Sequence, residues 1–333
     1  CFYTCRELRS SLEGVRTLSL HDTNANSHNQ TLAWISQHCS NLETLHLSGP
    51  KLSGLHHTSK ITKELEFSPS DSGCALRSLD VTGRVDAHIL RTVAQACPNM
   101  HELRLVHRCP PIVGFVSSST EVSIALQQLA SGCTELFELN IKETVPFGIV
   151  DKMLPHLGVL SSLTSLSIHT KENNGMNLGV LWPQPQVAQL LRNLSQLSLS
   201  VVDGTQMARV RVPELPQLRQ LSLCGVFSDE AFVCLGPHLS SLQLLRLERR
   251  APLLWCKLKA RSSDTAQSRH TSLAGWSLLG KALQSACHVE LRNFGAELGD
   301  NEIAAFFKES SLRRDQLVVC SGVSERSKRK AVQ

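Results

Sequence analysis

The sequence predicts an α/β solenoid in which short parallel strands alternate with helices along a right-handed coil. Three observations lead to this prediction. A six-residue phrase of the form L-x-x-L-x-L recurs along the chain, and the step between copies is most often about 24 to 36 residues. The segments between copies carry apolar residues at helical spacing. Repeated strand-and-helix units place their strands side by side in one parallel sheet.

The phrase explains why a strand forms at each copy. The better copies begin at Leu42, Leu76, Met100, Leu136, Leu163, Leu194, Leu218 and Leu242, and two poorer ones begin at Val15 and Ala286. The last apolar pair of each copy, such as Leu45 and Leu47, alternates with polar residues, which predicts a strand with one buried face. The period is close to the 20 to 29 residues typical of leucine-rich repeats. We therefore expect a curved leucine-rich-repeat solenoid of about ten repeats, with the parallel sheet on the concave side and helices on the convex side.

The segments between phrases predict helices. Two of them offer N-cap residues, Asp86 in one case and Ser228 or Asp229 in the other. The apolar stripes that follow these caps are Ile89, Leu90, Val93, Ala94 and Cys97 in the first, and Ala231, Phe232 and Leu235 in the second. Further stripes are Leu32, Ile35 and Cys39; Leu126, Leu129, Ala130 and Cys133; and Ile149, Met153, Leu154 and Leu157.

The domain organisation follows from the unbroken series. We expect one solenoid over 1–320 and a basic, disordered tail over 321–333, and the period breaks at insertions near 50–72, 107–120, 170–186 and 249–274. Residues 246–333 hold 16 of the 34 Lys and Arg but 9 of the 29 Asp and Glu, a charge of +7 against −2 elsewhere. A solvated tail is the favoured interpretation of this basic end, with a nuclear import signal or an acidic-partner tether as the alternatives.

The cysteines favour a reducing compartment. Cys39, Cys97 and Cys133 each stand three residues before the first phrase residue, and leucine fills that slot in later copies, at Leu160, Leu191, Leu215 and Leu239. A slot that accepts Cys or Leu is a small buried apolar position, which suits a free thiol. We therefore expect a cytoplasmic or nuclear protein. The sequence contains no run of about 18 apolar residues, so no membrane association is expected.

The same cysteine-containing runs carry a family resemblance. QHCSNLETLHL at 37–47, AQACPNMHEL at 94–103 and FSDEAF at 227–232 resemble the repeats of F-box/leucine-rich-repeat proteins, over most of 12–320. The resemblance implies that the repeats select a protein substrate for an SCF-type ubiquitin ligase that feeds proteasomal degradation. No F-box-like segment precedes the first copy in this chain, so the resemblance implies contact with the adaptor and cullin only through an F-box outside these residues.

Strand alternation predicts which side chains face a protein substrate on the concave surface. These are His46, Asp80, Glu102, Arg104, Glu138, Asn140, Lys142, Ser167, His169, Ser198, Gln220, Arg246 and Glu248. We expect their charges to set the register of a bound segment, so that charge reversal at Arg104 and Arg246 weakens capture without lowering thermal stability. The alternative is that the Ser and Thr of these strands only suit a solvated sheet.

Catalytic and metal-binding motifs are absent from the sequence. It holds no Gly-rich phosphate loop, no G-x-S-x-G, no H-E-x-x-H and no paired C-x-x-C. The groups His101, His107 and Cys109, or His56 and His57, match no metal-ligand spacing. We expect neither enzymatic activity, nor a cofactor, nor nucleic-acid binding. The alternative to a ligase subunit is an F-box-independent scaffold, inhibitor or sensor, and a hydrolase or transferase is a distant third.

Overall fold

The computed structural model describes fifteen stretches of the chain. These are residues 15–21, 41–48, 75–83, 85, 87–107, 118–143, 153–169, 192–203, 216–227, 229–236, 239–249, 271–283, 287–294, 298–308 and 310–320. The chain divides into two compact units, Cys1–Lys171 and Glu172–Gln333. Each unit is an α/β structure built on parallel strands.

The first unit contains six described strands. They are β1 (Thr17–His21), β2 (Thr44–Ser48), β3 (Ser78–Gly83), β4 (Glu102–His107), β5 (Glu138–Glu143) and β6 (Ser165–His169). Each strand pairs in parallel with the next one along the chain. Its described helices are α1 (Ala87–Ala96), α2 (Ser119–Gly132) and a 3-10 helix, Leu154–Val159.

The second unit follows the same plan with five described strands. They are β7 (Gln196–Asp203), β8 (Gln220–Val226), β9 (Leu244–Arg249), β10 (His288–Arg292) and β11 (Leu317–Cys320). Consecutive strands again pair in parallel. Its described helices are α3 (Asp229–Leu235), α4 (Leu273–Ala282), α5 (Asp300–Lys308) and a 3-10 helix, Arg314–Gln316.

The predicted α/β architecture with parallel strands is confirmed. A strand begins two residues after the first phrase position of every copy, and the register aligns equivalent residues, as in Leu45 beside Leu79 and Leu79 beside Leu103. In the eight better copies the first leucine or methionine and the following apolar pair are buried. β11 was not predicted, because Arg314 stands where the phrase leucine would be.

Backbone hydrogen bonds between neighbouring repeats fix where each strand starts. The carbonyl oxygen of the residue before a strand accepts the N–H groups of two residues in the next repeat, as Arg16 does from Glu43 and Thr44. The same pattern recurs at Glu43, Arg77, His101, Phe137, Ser195 and Arg219. Each repeat thus satisfies polar groups that a lone repeat would leave unpaired.

The cysteine slot is a buried turn position, as predicted. Cys97, Cys133, Leu160 and Leu239 are all buried, and each carbonyl accepts the N–H of the first phrase residue three positions later, at 3.1 to 3.2 Å. The Cys133 thiol donates to the Cys97 carbonyl oxygen at 3.2 Å. Burial raises the pKa of Cys133 to about 12 and that of Cys287 to about 11. Cys39 lies outside the described residues.

The predicted helical stripes are mostly buried. Ile89, Leu90 and Val93 of α1 and Leu126 and Leu129 of α2 lie in the core, whereas Ala130 is half-exposed. Met153 and Leu157 are buried too; Met153 is α-helical, and Leu157 lies in the 3-10 helix Leu154–Val159 that follows it. The stripe of Leu32, Ile35 and Cys39, and the positions Asp86, Ser228 and Ile149, lie outside the described residues.

The N-cap predicted at Asp229 stabilises a different helix from the one expected. Asp229 is the first residue of α3, and its carboxylate accepts the N–H and the hydroxyl of Ser272. Ser272 is itself the N-cap of α4, and its hydroxyl accepts the Gly275 N–H at 3.2 Å. The Asp229 side chain therefore links the N-termini of two successive helices.

Two of the expected insertions end beside described helices. The stretch 107–120 overlaps α2, which starts at Ser119 behind a capping box formed by Ser118 and Glu121. The stretch 249–274 overlaps α4, which starts at Leu273. Residues 50–72, 108–117, 170–186 and 250–270 of the four insertions, and the tail 321–333, lie outside the described residues. No helix in the described stretches is long and apolar enough to cross a membrane.

The second unit contains aromatic packing in addition to the predicted leucine layers. Phe227, Phe232, Trp276 and Phe294 are buried, and the ring centroids of neighbouring pairs lie 5.4 to 6.1 Å apart. Phe227 and Phe294 follow the ends of β8 and β10, while Phe232 and Trp276 belong to α3 and α4. The aromatic rings thus join strand ends to helices where an aliphatic core was expected.

Truncation of buried and exposed aliphatic residues of α2 tests the shared core. Leu129→Ala should reduce the free energy of unfolding by about 2 to 5 kcal/mol, because it leaves a cavity at a fully buried site. Ile124→Ala, at a side chain that is 43% exposed, should change it by less than about 1 kcal/mol. Urea denaturation measures both. Equal losses would contradict the assignment of the buried face.

Cysteine alkylation tests the predicted burial of the thiols. Iodoacetamide at pH 8 should modify exposed Cys320 far faster than Cys133 or Cys287, whose raised pKa leaves roughly one thiolate in a thousand or fewer. Mass spectrometry resolves the three sites, and denaturant provides the control in which all react. Native Cys133 labelled as fast as Cys320 would contradict the structure.

Candidate functional site

The candidate site is the polar face of the parallel strands, which is the face opposite the buried phrase residues. In the first unit the polar residues form three rows across β2 to β6, in register. The first row is Thr44, Ser78, Glu102, Glu138 and Ser165; the middle row is His46, Asp80, Arg104, Asn140 and Ser167; the third row is Ser48, Thr82, Val106, Lys142 and His169. Nine predicted site residues lie in these rows. Val106, in the third row, is an apolar exception and is buried.

Asp80 lies between the side chains of His46 and Arg104 in the middle row. Its Oδ2 lies 3.5 Å from a terminal guanidinium nitrogen of Arg104 and 3.8 Å from Nδ1 of His46. The Arg104 side chain is 54% exposed. Exposed pairs of this kind stabilise a fold by about 0 to 1 kcal/mol, so Arg104 can exchange Asp80 for an acidic partner at little cost.

Two like charges stand directly opposite each other in the first row. Glu102 on β4 is the register partner of Glu138 on β5, and Ser78 donates a hydrogen bond to Glu102 at 3.2 Å. Burial raises the pKa of Glu138 above its ordinary value, and the negative charge of Glu102 raises it further. The first row therefore lacks a compensating cation at Glu138.

At the end of β6 the predicted residues Ser167 and His169 contact each other. The Ser167 hydroxyl lies 2.9 Å from Nε2 of His169, and both side chains are half-buried. Since residues two apart on a strand share one face, this pair belongs to the same polar face as the three rows.

In the second unit the predicted residues again lie in three rows across the strands. Ser198 and Arg246 lie in the middle row, together with Ser222, Glu290 and Val318. Gln220 lies in the row that begins at Gln196, and Glu248 lies in the row that continues to Arg292. Arg246 donates two hydrogen bonds to the Glu290 carboxylate, at 2.8 and 3.1 Å, and Arg292 donates a third at 2.8 Å. These bonds lower the pKa of Glu290, with Arg246 contributing most, although burial opposes the shift.

Three residues of this network were missing from the sequence prediction. Glu290 and Arg292 alternate with the buried Val289 and Leu291 in the copy that begins at Ala286. The strand alternation used for the earlier copies would therefore have predicted both residues. Asn293 was harder to foresee. It adopts a positive φ of 61° and its side chain donates to Glu248 at 3.3 Å.

The role expected of Arg246 changes with this geometry. Its guanidinium is held by two charge-assisted bonds to Glu290, and its side chain is 35% exposed. Charge reversal at Arg246 would place a carboxylate beside Glu290 and Glu248. We therefore expect it to lower stability, contrary to the expectation from the sequence.

The histidines considered as ligands have other partners. His107 is buried, and its Nδ1 accepts the Val85 N–H at 3.0 Å. His101 lies 2.8 Å from Glu135 and stacks obliquely on Phe137. In the part of the chain that the structure describes, no three His, Cys, Asp or Glu side chains are grouped to hold a metal ion. His56, His57 and Cys109 lie outside it.

Comparison with known proteins adds no family assignment. A scan against protein-family models found no match to this chain, and a search of curated proteins found none. The polar face is therefore identified as the candidate site from its geometry alone.

Opposite pH dependences should distinguish the two glutamates. The lowered pKa of Glu290 means that its carboxylate contributes stability above the ordinary glutamate pKa, and this is lost as pH falls through the lowered value. Glu290→Gln should therefore cost about 1 to 3 kcal/mol at neutral pH and less in acid. The raised pKa of Glu138 has the opposite sign, so Glu138→Gln should leave the protein as stable or more stable at neutral pH, and this gain should vanish below the ordinary pKa.

Thermal denaturation of both variants from about pH 3 to pH 8 measures these effects, a range that spans the ordinary glutamate pKa. Parallel pH profiles for the two variants would contradict the difference in environment between the two carboxylates.

Proposed function

We propose that the chain is a leucine-rich-repeat solenoid whose polar face binds a segment of another protein. The observation that carries this proposal is the in-register array of charged and polar side chains over strands whose phrase residues are buried. Such an array is preformed, because the strands and turns beneath it are fixed by the repeats. A preformed surface binds without the cost of ordering a loop.

Repeat geometry supports the leucine-rich-repeat part of the proposal. The same turn, the same buried slot and the same backbone bonds to the next repeat recur in both units. Stacked repeats of one supersecondary unit are how short-period sequences bury a continuous core. A curved right-handed solenoid with a concave sheet is the architecture that we propose for this pattern.

The biological role that we propose is substrate recognition for an SCF-type ubiquitin ligase. It rests on the resemblance of the cysteine-containing repeats to those of F-box/leucine-rich-repeat proteins. In this proposal the chain is non-catalytic, the adaptor and cullin are reached through an F-box, and the captured protein proceeds to proteasomal degradation. Buried free thiols such as Cys133 and Cys287 support a cytoplasmic or nuclear location, where cysteines stay reduced.

Affinity purification tests this role. The longest endogenous product that contains this chain should be tagged and isolated under reducing conditions, and its companions identified by mass spectrometry. The proposal expects ligase adaptor and cullin components together with a substrate. A companion protein without ligase components would favour an F-box-independent scaffold, inhibitor or sensor, and no companion at all would contradict protein binding.

A neutral substitution at Arg104 tests the polar face. Arg104→Gln should weaken capture of the companion several-fold, because it removes an exposed charge that we propose sets register. The melting temperature should change little, because the ion pair with Asp80 is exposed. Arg313→Gln, at a side chain that is 77% exposed in another part of the chain, is the control and should bind as wild type does. If the Arg104→Gln variant captures the companion as well as wild type does, the middle row is excluded as the binding surface.

A further inference from the structure

The polar face of β5 differs from that of its neighbours. Glu138, Asn140 and Lys142 occupy its three successive outward positions, and in the described stretches no hydrogen bond or ion pair engages their side chains. On β4, by contrast, Glu102 accepts a bond from Ser78 and Arg104 pairs with Asp80. We call Glu138, Asn140 and Lys142 the β5 stripe.

The β5 stripe also differs from the charged network of the second unit. There Glu290 receives three hydrogen bonds from two arginines, so its charge is neutralised within the chain. In the β5 stripe the acid and the base stand four residues apart on one strand, about 13 Å at the usual rise, which is too far for an ion pair. Both charges thus remain available to another molecule.

Electrostatics around Glu138 favour a cation. The residue directly opposite on β4 is Glu102, and like charges at such positions repel. Burial, with this neighbour adding to it, raises the pKa of the Glu138 carboxyl. A cationic group from outside would relieve the repulsion and favour the ionised form. At the other end Lys142 lies beside Val106 and His169, where no carboxylate is the register partner.

We propose that the β5 stripe docks an extended segment of the partner protein, with a Lys or Arg against Glu138 and Glu102 and an Asp or Glu against Lys142. Asn140 between them has both a donor and an acceptor, which suits a main-chain amide of that segment. An extended chain spaces residues i and i+4 about 13 Å apart, which matches the stripe. The inference rests on the proposed function and identifies the kind of segment bound.

Binding at the stripe should depend on pH with a defined sign. The docked cation requires the ionised Glu138, whereas the free protein holds this carboxyl at a raised pKa. Affinity is therefore gained as pH rises through that pKa and lost as pH falls through it. Glu138→Gln should remove the part of this pH dependence that comes from Glu138 and leave the part that comes from Glu102 and from the acidic residue of the segment. A purely structural role of Glu138 would leave the pH dependence of binding unchanged.

A peptide library provides the test. Short random peptides displayed on phage are selected against the full 333-residue chain, and bound clones are sequenced. Enriched peptides should carry a basic and an acidic residue three to five positions apart. The double variant Glu138→Gln/Lys142→Gln should bind these peptides at least about tenfold more weakly, a difference of about 1.4 kcal/mol.

The matched control is Arg313→Gln/Asp315→Asn. This pair is exposed, and like the stripe variant it removes one positive and one negative charge, so the net charge stays the same. The control should bind the peptides as wild type does. The charge swap Glu138→Lys/Lys142→Glu should enrich peptides with the reverse order of charges, and if it does not fold, the neutral double variant still decides the result.

Two results would overturn the inference. Peptides that bind wild type and the Glu138→Gln/Lys142→Gln variant equally would place binding elsewhere and would leave protein binding itself intact. A library that yields no binder would also exclude an extended segment as the occupant. Failure of the proposed function is seen separately, when no companion protein is isolated with the endogenous product.

Discussion

The structure depends on one constraint, which is that no repeat can bury its apolar stripe alone. Each phrase contributes a leucine or methionine before the strand and two apolar residues within it, and these become buried because the next repeat aligns its equivalents beside them. The backbone follows the same rule. A carbonyl ahead of one strand accepts two N–H groups from the next, so hydrophobic burial and hydrogen bonding both require a neighbour.

The same constraint produces the surface that we propose as the binding site. Strand alternation assigns every other residue to the core, and parallel register then aligns the remaining ones in rows. The sequence therefore predicts which side chains make up each row, but it does not predict which of them form hydrogen bonds or ion pairs with each other. Asp80 lies close to both Arg104 and His46, Glu290 accepts hydrogen bonds from two arginines, and Glu138 faces another glutamate. These differences separate side chains that stabilise the fold from side chains that remain available for a partner.

The parts that sequence reasoning predicted well are those governed by local periodicity. Strand positions, buried phrase residues and the cysteine slot follow directly from a pattern that repeats, because each copy reinforces the assignment of the others. The starts of the helices were predicted less well. Ser118, which forms a capping box with Glu121, lies within the insertion expected near 107–120, and Asp229 binds the N-cap Ser272 of the following repeat's helix. Strand β11 was missed since its copy has lost the phrase leucine.

The features that escaped prediction depend on contacts between residues distant in sequence. Arg246 and Glu290 are 44 residues apart, and only the register of β9 and β10 shows that they are neighbours. The left-handed conformation of Asn293 and the aromatic cluster around Trp276 arise in the same way, from packing rather than from a local signal. The sequence can predict which residues face a site made of cross-strand neighbours. Which of these residues contact each other is known only when the register of the strands is known.

The most direct measurement of the central claim is an experimental structure of the chain by crystallography or cryo-electron microscopy. The account predicts that Leu45, Leu79 and Leu103 lie side by side on successive parallel strands with Leu139 next, all buried, and that Glu138, Asn140 and Lys142 project together from the opposite face. A structure in which these leucines belong to separate cores, or in which the strands pair antiparallel or out of this register, would contradict it.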